Sequence, residues 1–330
     1  MPDPSLIELA QRGETGLPEA FVERIRTELG EEYANRILAS TARDAPRGVR
    51  FNPLRGDPDT TRRQLEESGV SFMPVAWCSE ASVIEPAHLP IILEHPLWMS
   101  GAVHVQSLPS IAATVALDPQ PGERVLDLCA APGGKTSHLA ACMNNQGHIV
   151  ANDLSRARTH RMRALLEKLN ARATVVCRDG TRQGRREPDL YDRVLVDAPC
   201  SGEGRFDLAD PPSINDWTVS KTRRLSSLQK SLLHSAIGAV RPGGVILYST
   251  CTYGRLENEA VIERALARYG DGPTGVELET ITAEISPMSG PINLDAPAGS
   301  VLRSIPDPGG NPPSRAMAGF FLARLRRRSR

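Results

Sequence analysis

The sequence has no excess charge of either sign and very little lysine. Its 39 lysine and arginine residues balance 39 aspartate and glutamate residues, so the formal net charge is +0. A neutral chain has no global field that would draw it towards nucleic acid, so any such surface must be a local patch. Lysine occurs only at Lys135, Lys168, Lys221 and Lys230, and genome base composition is the simplest reason for that skew.

The chain also lacks cysteine pairs and long apolar runs. None of its six cysteines forms a C-x-x-C pair, which argues against a zinc site, and we predict no metal. Their scatter through predicted strands and helices indicates reduced thiols. No apolar run is long enough to span a membrane, and the first residues resemble neither a signal nor a transit peptide. We therefore expect a soluble cytoplasmic monomer with no membrane partner.

The order of apolar segments predicts two domains. Over residues 1–100, short helices and strands alternate, which indicates a small α/β domain. Its role is open between a scaffold extension and a substrate-positioning domain that uses Arg47, Arg50 and Arg55. Over residues 101–330, strands alternate with longer helices, which predicts a doubly wound, mostly parallel sheet covered on both faces.

The end of the second domain is less regular in sequence. Residues 286–317 are rich in proline, glycine and serine, and we expect an irregular connection there. Alternation over residues 319–325 predicts a last strand. Residues 326–330 form an arginine-rich tail, which is a candidate for the local patch that nucleic-acid binding would require.

A strand, a glycine turn and a helix start meet in the segment Val125–Lys135, which reads VLDLCAAPGGK. Pro132, Gly133 and Gly134 form the turn, and the N–H groups of the following helix suit a carboxylate or a phosphate. The P-loop motif is excluded because its first glycine would fall at Cys129, and the dinucleotide fingerprint is absent. We therefore predict an adenosine-type cofactor site, for S-adenosylmethionine.

Acids and thiols follow the predicted strands of the second domain. Ligands bind at the carboxyl ends of strands in such sheets, so these side chains are candidate site residues. Asp153 suits the ribose hydroxyls of a nucleoside, and Asp179 suits an adenine amino group, although an aspartate there is also a common turn residue. Cys200, close to Asp197, and Cys251 place two thiols at the same edge.

A thiol has a specific use in methyl transfer to a pyrimidine. Carbon 5 of the ring is a poor nucleophile, and a thiolate that adds to carbon 6 makes it reactive. A base must then remove the carbon 5 proton before the thiol leaves. Asp197 could hydrogen-bond the amino and ring-nitrogen edge of cytosine. One thiol would be the nucleophile, and the second could assist release.

Two other functions are open. Amino-group methyltransferases use the same fold, but the two thiols at strand ends argue against one. A catalytically idle RNA-binding or ribosome-assembly factor would be expected to lose the cofactor loop or a cysteine. Neither loss is seen in this sequence.

These motifs resemble the RsmB/NSUN family of RNA cytosine-5 methyltransferases. The resemblance implies a class I (Rossmann-like) methyltransferase fold, an N-terminal RNA-positioning domain, S-adenosylmethionine as cofactor, and rRNA or tRNA as partner, with rRNA favoured. The segments that carry the resemblance, the last four more loosely, are Leu126–Lys135, Asp197–Gly202, Tyr248–Thr252, Glu257–Glu259, Leu17–Glu19, Arg50–Asn52, Gln106–Ser110 and Gly319–Phe321.

The resemblance also implies roles for single residues. Cys251 would be the nucleophile, and Cys200 would assist release of the methylated base. The residues implied for the cofactor pocket are Cys129, Ala130, Ala131, Pro132, Gly133, Gly134, Lys135, Asp153, Asp179 and Asp197. The sequence departs from the family over residues 202–207 and 210–215, and we expect no C-terminal RNA-binding domain of the kind some members carry. Both departures bear on the substrate rather than on the reaction.

Overall fold

The computed structural model describes residues 16–41, 45–272, 275–285 and 290–329. Its helices are α1 (Glu19–Leu29), α2 (Glu31–Ser40), α3 (Pro58–Glu67), α4 (Leu89–Glu94), α5 (Pro96–Ser100), α6 (Leu108–Leu117), α7 (Gly134–Cys142), α8 (Arg156–Lys168), α9 (Gln183–Arg186), α10 (Pro212–Asn215), α11 (Val219–Ala239), α12 (Glu259–Tyr269) and α13 (Pro312–Ala316). Its strands are β1 (Arg47–Phe51), β2 (Met73–Pro74), β3 (Ala81–Ile84), β4 (Val103–Val105), β5 (Arg124–Asp127), β6 (His148–Asp153), β7 (Thr174–Cys177), β8 (Tyr191–Asp197), β9 (Val240–Thr250), β10 (Val276–Leu278), β11 (Val301–Ser304) and β12 (Phe320–Arg327).

The first sheet is small and antiparallel, with the strand order β2-β3-β1-β4. Its edge strand β4 lies beyond residue 100, so this sheet extends a few residues past the predicted domain boundary. The change of pattern at Gly101 marks the end of α5 instead, where Gly101 adopts a φ of 81°. A side chain at that position would collide with the Lys168 carbonyl, so glycine is required there.

The second sheet has the order β10-β12-β9-β8-β5-β6-β7, and β11 pairs with β12. Strands β9, β8, β5, β6 and β7 are parallel, whereas β12 runs antiparallel to β9. Neighbouring residues of β5 pack in separate cores: Val125 belongs to one buried cluster and Leu126 to the other. Because side chains alternate between the faces of a strand, both faces of this sheet are covered. This confirms the predicted doubly wound fold.

The C-terminal part is more ordered than its sequence predicts. The segment expected to be irregular contains β11 and α13, although its residues 286–289 lie outside the described part of the chain. The expected basic tail is partly strand β12, and its arginines are paired with acids. Arg326 Nε lies 2.8 Å from Glu279 Oε1, and Arg328 Nε lies 2.9 Å from Glu277 Oε2. The prediction of a tail is therefore wrong for residues 326 and 327, which belong to β12, and Arg330 lies outside the described residues. A role of these arginines in binding nucleic acid stays a prediction.

Arg50 and Arg55 connect the N-terminal domain to helices α7 and α8 of the second domain. The Arg50 side chain is fully buried, and its Nε and Nη2 donate to Gln106 Oε1 and Ser137 Oγ, each at 2.9 Å. The prediction that Arg50 contacts substrate is therefore wrong, because its guanidinium is buried and donates its hydrogen bonds inside the protein. Arg55 is exposed, and its Nε donates to the Lys168 carbonyl at 2.8 Å.

Within the described ranges, no helix is both long and apolar enough to cross a membrane. The same residues contain no group of three or more histidine, cysteine, aspartate and glutamate side chains arranged to hold a metal ion. The monomeric state and the cytoplasmic location remain predictions.

Candidate active site

The glycine turn between β5 and α7 is fixed by its neighbours. The Ala130 N–H donates to the Asn152 carbonyl at 2.7 Å, which ties the turn to the end of β6. Gly133 has a φ of 110°, and a Cβ there would lie 3.0 Å from Met162 Cγ, so only glycine fits without strain. Helix α7 starts at the next residue, and its first N–H groups have no acceptor within the helix.

Asp153 and Asp179 lie at the ends of two parallel neighbours, β6 and β7. Asp153 is buried, with Oδ1 accepting the Ser155 N–H at 2.9 Å and Oδ2 lying 3.1 Å from Arg158 Nη1. Asp179 accepts the hydroxyl and the N–H of Thr181 at 2.7 and 3.0 Å, and these hydrogen bonds hold its pKa below the usual range. Each carboxylate keeps lone pairs free for further donors.

Asp197 connects the glycine turn to the next pair of strands. Its Oδ2 lies 2.8 Å from Lys135 Nζ, and its Oδ1 accepts the Ser249 hydroxyl at 2.8 Å. Lys135 Nζ also lies 3.1 Å from Ser110 Oγ. The lysine of the turn and the acid at the end of β8 therefore form one ion pair, which the sequence did not predict.

The two thiols that follow β8 and β9 are in contact. Cys200 Sγ lies 3.1 Å from Cys251 Sγ and also accepts the Cys251 N–H at 3.2 Å. The hydrogen bond from Cys200 is the largest influence on Cys251 and lowers its pKa, while burial acts in the opposite direction. The same hydrogen bond, with burial, raises the pKa of Cys200. Cys251 is therefore the thiol that loses its proton first.

One cavity of about 470 Å³ brings the turn, the ion pair and the thiols together. The predicted site residues that line it are Cys129, Ala131, Pro132, Lys135, Asp197, Cys200 and Cys251. Ala130, Gly133 and Gly134 belong to the turn but not to this lining. Asp153 and Asp179 lie outside the lining, at the ends of β6 and β7 on the far side of the turn from the thiols.

A buried carboxylate holds the loop that carries Cys200. Glu257 Oε1 accepts the Ser201 N–H at 3.0 Å, and its Oε2 accepts the Ser201 hydroxyl at 2.5 Å. The Gln229 side chain donates to Glu257 Oε1 at 2.9 Å. Burial raises the pKa of Glu257. These bonds join the Cys200 loop to helix α11 and to the segment that follows β9.

A second buried carboxylate, Glu203, holds the loop that carries Cys251. Its Oε2 accepts the Thr252 hydroxyl at 2.5 Å and the Tyr253 N–H at 3.1 Å. Its Oε1 accepts the Trp217 indole N–H at 2.8 Å and lies 2.7 Å from Arg24 Nη2. Burial would raise the pKa of Glu203, but the charge of Arg24 and these hydrogen bonds outweigh it, so the pKa lies below the usual range.

The sequence interpretation missed three residues of the site. Arg158 and Arg205 line the cavity, and Glu203 fixes the loop beside it. Glu203 and Arg205 lie in the segment 202–207, where the sequence departs from the family. Nothing in their spacing showed that this segment would lie against Cys251.

Two family models match the chain. The model described as 16S rRNA methyltransferase RsmB/F matches residues 114–326, and the model for the N-terminal domain of 16S rRNA methyltransferase RsmF matches residues 17–108. The first covers more than half of the chain. The chain belongs to the RsmB/F methyltransferase family. The resemblance inferred from the motifs is thereby confirmed.

Individual members of the family are similar over most of the chain. Ribosomal RNA small subunit methyltransferase F of Cronobacter sakazakii is 34% identical over 97% of this chain and 65% of its own length. The protein of the same name from Shewanella amazonensis is 38% identical over 68% of this chain and 48% of its own length. The chain thus spans about half to two thirds of the length of these relatives.

Solved structures support the fold. A methyltransferase homolog protein from Pyrococcus horikoshii superposes with a TM-score of 0.79, at 30% identity over 98% of this chain and 99% of that one. NSun6 from Pyrococcus horikoshii, solved with SFG, also has a TM-score of 0.79, at 20% identity over 94% of this chain and 98% of that one. At that identity the second similarity supports the fold alone.

Proposed function

We propose that this protein is an RNA cytosine-5 methyltransferase that transfers a methyl group from S-adenosylmethionine to a cytosine, in rRNA rather than tRNA. The observation that carries the proposal is the pair of thiols, 3.1 Å apart, in one cavity with the Asp197 carboxylate. Membership of the RsmB/F family and the names of the relatives support rRNA as the substrate.

The residues around the glycine turn fit S-adenosylmethionine. Arg158 and the start of α7 supply positive charge and N–H donors for its carboxylate. The free lone pairs of Asp153 suit ribose hydroxyls, and Asp179 suits the adenine amino group. When bound, the cofactor supplies an electrophilic methyl group. The cavity of about 470 Å³ lies between the turn and the thiols, within the size range of ligand sites.

Cys251 is the proposed nucleophile. Its thiolate forms a bond to carbon 6 of cytosine, and the ring electrons make carbon 5 nucleophilic. The Cys200 thiol keeps its proton during this step and donates a hydrogen bond to the attacking sulfur. After carbon 5 is methylated, a base removes its proton, the double bond reforms and the sulfur leaves. Cys200 lies next to the departing sulfur and assists this release.

Asp197 and Lys135 act as a charged pair at the base-binding end of the cavity. Asp197 accepts a hydrogen bond from the cytosine amino group, which orients the ring over the thiols. Lys135, 2.8 Å from Asp197, keeps that carboxylate in place and balances its charge. An uncompensated carboxylate would oppose formation of the Cys251 thiolate.

The N-terminal domain, which includes β1 to β4, is proposed to position RNA. Arg47 and Arg55 are its remaining candidates for phosphate contacts, since both are exposed whereas Arg50 is buried. Phosphate contacts would make RNA binding weaken steeply with salt. A double Arg47→Ala and Arg55→Ala variant should bind RNA more weakly and with a smaller salt slope. If both quantities were unchanged, the domain would be a scaffold.

The product identifies the reaction. We would incubate the purified protein with unmethylated 16S rRNA, tRNA and methyl-labelled S-adenosylmethionine, digest the RNA, and separate the nucleosides by mass spectrometry. The proposal requires labelled 5-methylcytidine from 16S rRNA, and none with Cys251→Ala. N4-methylcytidine would instead identify an amino-group methyltransferase. The absence of any labelled nucleoside from an S-adenosylmethionine-binding protein would favour a ribosome-assembly factor.

A further inference from the structure

Arg205 is the first cationic residue that follows Cys200 in the sequence. It ends a 3-10 turn over Glu203–Arg205, and its N–H donates to the Gly202 carbonyl at 2.9 Å. The preceding Gly204 N–H donates to the Cys251 carbonyl at 2.9 Å, so the turn is attached to the nucleophile's own backbone. The arginine side chain lies at the mouth of the cavity that both thiols line.

The guanidinium is held over Gly202. This glycine has a φ of 78°, and a Cβ there would lie 3.2 Å from Arg205 Nη2. A residue with a side chain at this position would therefore crowd the guanidinium and would also be strained by the positive φ. Gly202, two residues after Cys200, thus lies against the guanidinium.

The charge of Arg205 is not neutralised by an acid. Among the described residues, no carboxylate lies within ion-pair distance of its guanidinium, whereas Lys135 is paired with Asp197. The Cys251 sulfur is the largest influence on Arg205 and raises its pKa. Burial acts against this, and Cys200 and Asp197 add to it. The unpaired positive charge thus lies in the lining of the cavity that both thiols share.

We infer that Arg205 activates Cys251 by holding an unpaired positive charge beside its sulfur, which stabilises the thiolate before the cytosine ring enters. This inference rests on the proposed function for the identity of the nucleophile. The thiol proton passes to solvent, and the sulfur lone pair is then free to form the bond to carbon 6. Cys200 keeps its own proton throughout this step.

The other charged groups around Cys251 do not replace Arg205. Asp197 raises the pKa of Cys251 and Lys135 lowers it, and these two lie 2.8 Å from each other, so their effects largely cancel. The hydrogen bond from Cys200 stabilises the thiolate but adds no positive charge. Arg205 supplies the uncancelled cation.

Alkylation of Cys251 tests the inference without RNA or cofactor. The rate of reaction with iodoacetamide would be measured from pH 5.5 to 9.5 by peptide mass spectrometry, which counts Cys251 and Cys200 separately. In Arg205→Met, the midpoint of the curve of Cys251 alkylation rate against pH should rise by about 0.5–1 pH unit. This shift is smaller than the shift expected from removing a buried cation, because Arg205 is exposed. Alkylation at pH 7 should slow by about three- to tenfold. Arg205→Lys keeps the positive charge, so its midpoint should lie close to the wild-type value.

Arg255→Met is the matched control. Arg255 follows Cys251 by four residues, but its guanidinium is paired with Glu263 at 2.6 Å. This variant should leave the Cys251 profile unchanged. A profile for Arg205→Met that coincides with the wild type would overturn the inference. A raised KM for RNA with an unchanged alkylation profile would also overturn it, because Arg205 would then be an RNA contact.

The inference and the proposed function can fail separately. If the Arg205 variants shift the alkylation profile while Cys251→Ala still makes 5-methylcytidine, the proposed nucleophile is wrong and the charge effect stands. If Cys251→Ala makes no product while the profile of Arg205→Met is unchanged, the nucleophile stands and the inference is wrong.

Discussion

The substitution Glu203→Gln should destabilise the protein far more than its small change in shape suggests. All four partners of this carboxylate, Arg24, Trp217, Thr252 and Tyr253, are hydrogen-bond donors. An amide places an N–H₂ group against two of them in either orientation and leaves the arginine without its acid. Removing one partner of a buried ion pair costs about 3–5 kcal/mol. The lower end applies here, because the Arg24 side chain is 22% exposed.

A loss of about 3 kcal/mol has a measurable thermal signature. Unfolding entropy of about 2.1 cal/mol/K per residue gives roughly 0.7 kcal/mol/K for a chain of this length, so Tm should fall by about 4 °C. Glu263→Gln is the matched control, because the Glu263 side chain is 38% exposed and pairs with Arg255 at the surface. That variant should lose less than about 1 kcal/mol.

Scanning calorimetry at pH 7 and at lower pH would test this. The lowered pKa of Glu203 means that its contribution is present above the unfolded value and is lost as pH falls through the folded value. The difference between Glu203→Gln and the wild type should therefore shrink below about pH 4. Equal Tm values for Glu203→Gln and Glu263→Gln at pH 7 would refute the reasoning.

Three further predictions concern the site. Asp153→Ala should weaken S-adenosylmethionine binding by roughly 1.5–3 kcal/mol in calorimetry, since it removes a charged acceptor, and unchanged affinity would contradict the assignment. A side chain at Gly204 would collide with the Gly319 backbone, so Gly204→Ala should cost about 1–3 kcal/mol in urea unfolding, whereas Gly309→Ala should be nearly neutral. Burial raises the pKa of Asp127 to about 7, so the stability that its proton contributes falls as pH rises from about 4 to 7. The unfolding free energy of Asp127→Asn relative to that of the wild type should therefore increase between pH 5 and pH 8. A constant difference would contradict the raised pKa of Asp127.

The parts of the fold that depend on local pattern were predictable from the sequence. The apolar runs of β5, β6 and β8, with helices between them, were sufficient to infer the parallel sheet and its ligand-binding edge. The acids and thiols at the strand ends followed from that edge. Strand β11 was missed because it lies among proline and glycine residues and contains Arg303. That buried arginine is paired with Glu259 at 2.8 Å, and no local pattern reveals this long-range pair.

The errors concern arginines whose environment depends on distant residues. Arg50 is a candidate for contact with substrate from the sequence, but Gln106 and Ser137 accept its hydrogen bonds inside the protein. Arg205 received no role, although the fold places it beside Cys251. A sequence gives the spacing of charges along the chain, whereas burial and pairing depend on which elements meet.

The covalent mechanism is the central claim, and denaturing electrophoresis of protein with RNA and cofactor tests it most directly. Cys200→Ala should attack the ring and stall, which leaves a protein–RNA adduct that survives denaturation. Cys251→Ala should form no adduct and no product. Both variants remove one sulfur from the same contact, so a general packing defect cannot give opposite results. An adduct only in Cys251→Ala would reverse the two roles, and methylation without an adduct in either variant would contradict the thiol mechanism.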